Sequence, residues 1–164
     1  MSRWWAGKVR QFGRHLTGRV RPAERQALAD WLTPAQLALF ESMHRADQRH
    51  GLDVVESLRR AGHDDPDLLL AGLLHDCGKG PSVGVWHRVA WSLGDHYGPR
   101  VRAAGLRLPG FAEPFRLLDE HAKRSAELAR AAGVSKRAAE LIRHQDEPID
   151  ALHGEALRLA DQAN

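Results

Sequence analysis

The sequence predicts an all-α fold, and three observations carry that reading. Apolar residues return every three or four positions along most of the chain, the spacing of one helix face. Alternating runs rich in Val, Ile and Thr, which would mark strands, are missing. Proline and glycine fall between the periodic segments, where they start and stop helices. At 164 residues the chain has the length of one ordinary domain with a sizeable core.

Composition narrows the class further. No run of 18 apolar residues exists, so no membrane span is expected, and no leader pattern is read at the start. The single cysteine, Cys77, excludes a disulfide framework and fits a reducing, cytoplasmic location. The formal charge of +3 is uneven. Residues 1–21 carry Arg3, Lys8, Arg10, Arg14, Arg19 and Arg21 and no acid, which leaves 18 basic against 21 acidic groups in the rest. The basic character belongs to a tail, and residues 22–164 form the domain proper.

Within residues 1–21, Trp5, Val9, Phe12, Leu16 and Val20 recur at helical spacing with Arg and Lys between them, the pattern of a basic amphipathic helix. Docking of its apolar stripe on the domain or on a second copy, as in a homodimer, is the preferred reading. Peripheral contact with membrane headgroups is the alternative, and nucleic-acid contact has less behind it. A short helix is expected after Pro22, and Thr33-Pro34 reads as an N-cap with proline at the first helical position, opening a helix through Leu37, Phe40 and Met43. From Ala46 to Arg60 the inward stripe is Asp47, His50/Gly51, Val54, Val55 and Leu58. Gly62 and Asp64-Asp65-Pro66 turn the chain into Leu68–Leu74, which is apolar all round and therefore reads as a buried helix.

That helix runs into His75-Asp76-Cys77-Gly78-Lys79, with Gly78 expected to end it. An ionised carboxylate at the end of a buried helix is costly without a counter-charge. A divalent metal supplies one and also accounts for the imidazole beside it. The other reading is a polar C-terminal cap, and local grammar leaves both open. Beyond it, a helix is expected over Val83–His96 carrying Trp86, His87, Arg88 and Trp91, with core packing the expected use of both tryptophans. Gly98-Pro99 breaks it, and an Arg-rich piece runs to Pro109-Gly110. One long helix is then expected from Pro114 to Ala132 with His121 on its stripe, followed by Gly133 as a stop. Ser135 caps a helix carrying Leu141, Ile142 and His144, and a last helix carries Leu152 to Asp161.

The inward polar residues thus form an ordered set: His50, His75-Asp76, His121, His144 and Asp161. Each would carry a desolvation cost alone, and a shared metal centre satisfies them together. This order, with the wording Ala46-Asp47-Gln48-Arg49-His50, Leu73-Leu74-His75-Asp76-Cys77-Gly78-Lys79 and Leu159-Ala160-Asp161, resembles the HD-domain superfamily of metal-dependent phosphohydrolases over about residues 33–164. The resemblance implies an all-helical bundle in which His50, His75, Asp76 and Asp161 bind a first metal. Asp76 would bridge to a second held by His121 and His144. It implies two divalent ions, Fe or Mn before Mg, Ni, Zn or Co. The cyclic-dinucleotide subgroup carries Pro-Glu after the second-metal histidine and a Gly-Tyr-Pro motif; this chain has Ala122-Lys123 and Tyr97-Gly98-Pro99 instead.

The expected reaction is hydrolysis of a phosphoester of a nucleotide or related small molecule by a metal-activated water. Asp76 and Lys79 would be the catalytic residues, with Lys79, His87 and Arg88 toward the substrate. Two other classes share the ligand set: a mixed-valent di-iron oxygenase, and a non-catalytic regulatory module with a structural metal.

Overall fold

The computed structural model describes residues 18–164, the side chain of Asp95 excepted. They form α1 (Pro22–Ala29), α2 (Pro34–Ser42), α3 (Arg45–Arg60), α4 (Pro66–Leu74), a 3-10 turn (Cys77–Lys79), α5 (Val85–Tyr97), α6 (Pro99–Leu106), α7 (Ala112–Asp119), α8 (His121–Ala131), α9 (Lys136–Arg143) and α10 (His153–Ala163), with no strand among the described residues. The all-α reading stands. None of these helices is long and apolar enough to cross a membrane. The basic helix expected over 1–21 lies outside the described residues up to position 17. Residues 18–21 are not helical, and Val20 packs against the main core.

Several helix starts are set by their own side chains. Thr33 Oγ1 accepts the Gln36 N–H at 3.3 Å while Gln36 Oε1 accepts the Thr33 N–H at 3.0 Å, a reciprocal cap on α2. Asp65 caps α4 through the Leu68 N–H (2.9 Å), and Ser135 caps α9 through the Ala138 N–H (3.0 Å).

Helix α4 is enclosed by α3, α9 and α10, as its apolar circumference requires. Leu68, Leu73 and Leu74 are fully buried beside Val54, Leu58, Ile142 and Leu157. Burial of each such side chain contributes about 1.5–3 kcal/mol. The approach of α3 to α4 needs Gly51, because a Cβ there would lie 2.4 Å from the Leu73 carbonyl oxygen. A smaller cluster of Val83, Leu117 and Leu118 carries α5 and α7, with Trp91 packed on it.

Three expectations are corrected. The helix expected from Pro114 to Ala132 is two helices, broken at Glu120, whose backbone (φ −97°, ψ 3°) leaves the helical range. The break puts His121 at the start of α8. Gly78 does not end α4: helical bonding stops at Leu74, and Asp76 (φ −101°, ψ 2°) opens the 3-10 turn. Gly78 serves packing instead, since a Cβ there would lie 2.5 Å from the His121 carbonyl oxygen and 2.6 Å from the Ser125 nitrogen. Trp86 is not in the core; it is 75% exposed. Trp91, which meets Phe115 edge-on at 5.3 Å, lies five positions further on. Five positions are about 140° around a helix, so one ring faces inward and the other outward.

Candidate metal centre

The end of α4, the middle of α3, the start of α8 and the last helix converge on one point. His75 follows directly on α4, in helical conformation but past the last apolar turn. Its Nδ1 donates to the Gly72 carbonyl at 2.9 Å. That bond turns the other ring nitrogen, Nε2, toward the carboxylates. Nε2 stands 3.3 Å from Asp161 Oδ1 and 3.6 Å from Asp76 Oδ2, aligned with neither as a hydrogen bond. From α3, His50 brings Nε2 to 2.7 Å from Asp161 Oδ1. Its ring lies edge-on to His75 with centroids 5.1 Å apart. Ligand atoms of His50, His75 and Asp76 all lie within 4.8 Å of one another.

Asp76, 2% exposed, divides its two oxygens. Oδ2 accepts from Lys79 Nζ at 2.6 Å, and Oδ1 faces His121 Nε2 at 3.7 Å with no hydrogen-bond partner. His121 is held like His75: its Nδ1 donates to the Leu118 carbonyl at 2.7 Å, leaving Nε2 inward. The break at Glu120 makes that orientation available. Locking one imidazole nitrogen on a carbonyl so that the other points inward is the usual outer support of a metal-ligating histidine.

The electrostatics follow from packing. Burial would lower the His75 imidazolium, but the Asp76 and Asp161 carboxylates outweigh it and hold it up to about 9. Burial would raise the Asp76 carboxyl, yet His75, Lys79, His121 and His50 hold it well below the usual carboxylate range. Asp161 is likewise held low by His50 and His75 against burial. Burial, helped by Lys79, lowers His121 against the opposing pull of the Asp76 carboxylate. Burial pushes the Cys77 thiol up to about 12, so it stays protonated and is neither thiolate ligand nor nucleophile.

Five of the six expected ligands, together with Lys79, are therefore brought together. His144 stands apart from them. Its Nε2 lies 3.5 Å from Glu140 Oε2, and its ring lines an open cavity of about 570 Å³ with Lys136, Arg137, Pro148 and Ile149. No ion-pair contact within 4 Å joins it to Asp76. His87 accepts the Gly84 N–H at 3.1 Å and so caps α5, with its ring against Phe111. Arg88 grips both oxygens of Asp47 at 2.6 and 2.7 Å.

No protein-family model, curated protein or solved structure matches this chain. Among the described residues, four buried side-chain atoms have no hydrogen-bond partner: His75 Nε2, Asp76 Oδ1, and Nε2 and Oε1 of Gln145. The first two are metal-ligand atoms facing one cluster, so the donor set fits a divalent cation. Two features escaped the sequence reading. The Asp47–Arg88 pair joins positions 41 residues apart, a separation at which no local signal exists. Gln145 was adjacent to a singled-out histidine, and only its burial marks it.

Proposed function

We propose that this chain is a metal-dependent phosphohydrolase of the HD-domain type, cleaving a phosphoester of a nucleotide or a related small molecule. The observation that carries the reading is the pair of unpartnered, buried ligand atoms, His75 Nε2 and Asp76 Oδ1, each aimed by a neighbouring contact. His50, His75, Asp76 and Asp161 would hold one ion, and Asp76 with His121 a second. Bound there, divalent ions would acidify water and offset the charge that builds on a phosphoryl group.

The chain's own residues supply the rest. The Asp161 side chain is 41% exposed, so the cluster opens to solvent on that side and a substrate can approach. Lys79 is paired with Asp76 at 2.6 Å and 20% exposed. With its Asp76 partner engaged in metal binding, Lys79 Nζ would be free to meet a substrate phosphate. Arg88, engaged with Asp47, holds α5 in place beside the site and is not assigned to the substrate.

Elemental analysis of anaerobically purified protein tests this together with a panel of nucleotides and chromogenic phosphoesters. The expected result is about two ions per chain, as in binuclear hydrolytic sites, and metal-dependent release of phosphate or alcohol. Binding of a single ion would confine the centre to the four-residue set and remove His121 from it. Consumption of O₂ with an oxidised product, and no ester cleavage, would replace the hydrolase by the oxygenase. A chain that retains no metal would overturn both.

A further inference from the structure

Gln145 is only 6% exposed, and neither its amide nitrogen nor its carbonyl oxygen has a partner. An amide buried in that state is unfavourable, so its presence calls for an occupant. Its place in the fold indicates which.

Helix α9 packs alongside α4. Their starts are joined: Ser135 Oγ donates to Asp67 Oδ1 at 2.7 Å, and Arg137 pairs with Asp65 at 2.8 Å. With eight and nine residues, α9 and α4 are nearly equal in length, about 12 and 13.5 Å. The end of α9 is therefore level with the end of α4, where His75 and Asp76 stand. Helix α8, which packs on α9, begins there too, at His121. Asp146, next after Gln145, is near enough to His121 for its charge to act on that imidazole. Gln145 thus sits at the centre's level.

A carboxamide unpaired at both ends needs a partner that accepts and donates at once. A bare cation would satisfy only Oε1, and a fully ionised phosphate oxygen only Nε2. Water satisfies both. We infer that Gln145 is a further catalytic residue of the centre, its Nε2–H donating to the attacking water and its Oε1 accepting from one of that water's protons. This rests on the phosphohydrolase reading above. The neutral amide gains and loses no proton in the reaction. The water oxygen forms the new bond to phosphorus, and the ester oxygen departs with the electron pair of the broken bond. One water proton ends on the released alcohol, and the hydroxyl stays on phosphorus.

The test compares wild type with Gln145→Met, an unbranched side chain of similar length, in the full chain loaded with Mn²⁺. Bis(p-nitrophenyl) phosphate is the probe, with Tm measured on the metal-free proteins. The expected result is a kcat lower by ~10- to 100-fold, the size of effect that loss of reactant alignment produces. KM and metal per chain should be unchanged, and Tm equal or higher because an unsatisfied amide has been removed. A variant as active as an active wild type would overturn the inference alone. So would a fall in Tm accompanied by loss of metal, which would make the amide a structural group bonded to internal water. A wild type that binds metal but cleaves no ester would instead overturn the phosphohydrolase reading, and this inference with it.

Discussion

Two buried carboxylates lie on either side of the α3–α4 contact and have opposite fates. Asp47 is 1% exposed and Asp76 2%. Both carry the large cost of removing a charge from water. At Asp47 both oxygens are paired: the Arg88 guanidinium donates to them at 2.6 and 2.7 Å, a bidentate geometry that arginine offers. The result is a joint that pins α5 to α3. At Asp76 only one oxygen is bonded, to Lys79, while the other faces His121 across 3.7 Å without a bond. Equal burial with unequal pairing separates a residue that holds the fold from the one on which the proposed metal centre rests.

The sharpest way to break this comparison is to delete each acid's role in turn. Asp76→Ala is expected to remain helical by circular dichroism and to lose both its metal and its ester turnover, a complete effect. If the purified variant kept full metal and activity, the whole site assignment would fall. Arg88→Ala should behave in the opposite way. It strands the Asp47 charge in the core, which costs about 3–5 kcal/mol for a broken buried pair, read as a lower urea midpoint. Metal per chain, measured on the variant under folding conditions, should be unaltered. Loss of metal in Arg88→Ala would show that the two carboxylates act as one unit.

The smallest expected effect concerns a pair at the protein's edge, which serves as a control. Hydrogen bonding from Arg21 pulls the Glu24 carboxyl down to about 2 against the opposing effect of burial, and Arg49 adds to the pull. Because the folded-state value lies below the ordinary 4.5, the stability it contributes is present above about 4.5 and is lost as pH falls through about 2. Solvent screening keeps that contribution under about 1 kcal/mol. Glu24→Gln should flatten this part of the acid limb in urea titrations while metal content stays the same. An unchanged acid limb would assign it to other carboxylates.

Much of the helical scaffold was legible because its signals are local. Thr33-Pro34, Asp65-Pro66 and Ser135 each cap a helix through the amide three positions on, a relation contained in four residues. The stripe Asp47, Gly51, Val54, Val55 and Leu58 is buried as its spacing required. His50, His75, Asp76 and Asp161 meet because each stands on a face that must turn inward. His121 was on the right stripe but on the wrong helix: periodicity continues across Glu120, while the backbone does not. Trp86 was misplaced for the converse reason, since an aromatic ring carries no mark of which side of its helix a neighbour will cover.

By itself, then, the sequence determined an all-helical chain, the ends of several helices, and a buried apolar helix running into His75 and Asp76. Only the tertiary structure decided that Asp76 keeps one oxygen unpaired, that Arg88 serves Asp47, that His144 faces a cavity, and that Gln145 is enclosed without a partner. Periodicity and capping act within a turn or two, so one segment is enough to display them. Whether a buried polar atom finds a partner depends on what arrives from segments far along the chain, as with Arg88 on Asp47 and Asp161 on His50, 41 and 111 residues apart, and only packing settles that.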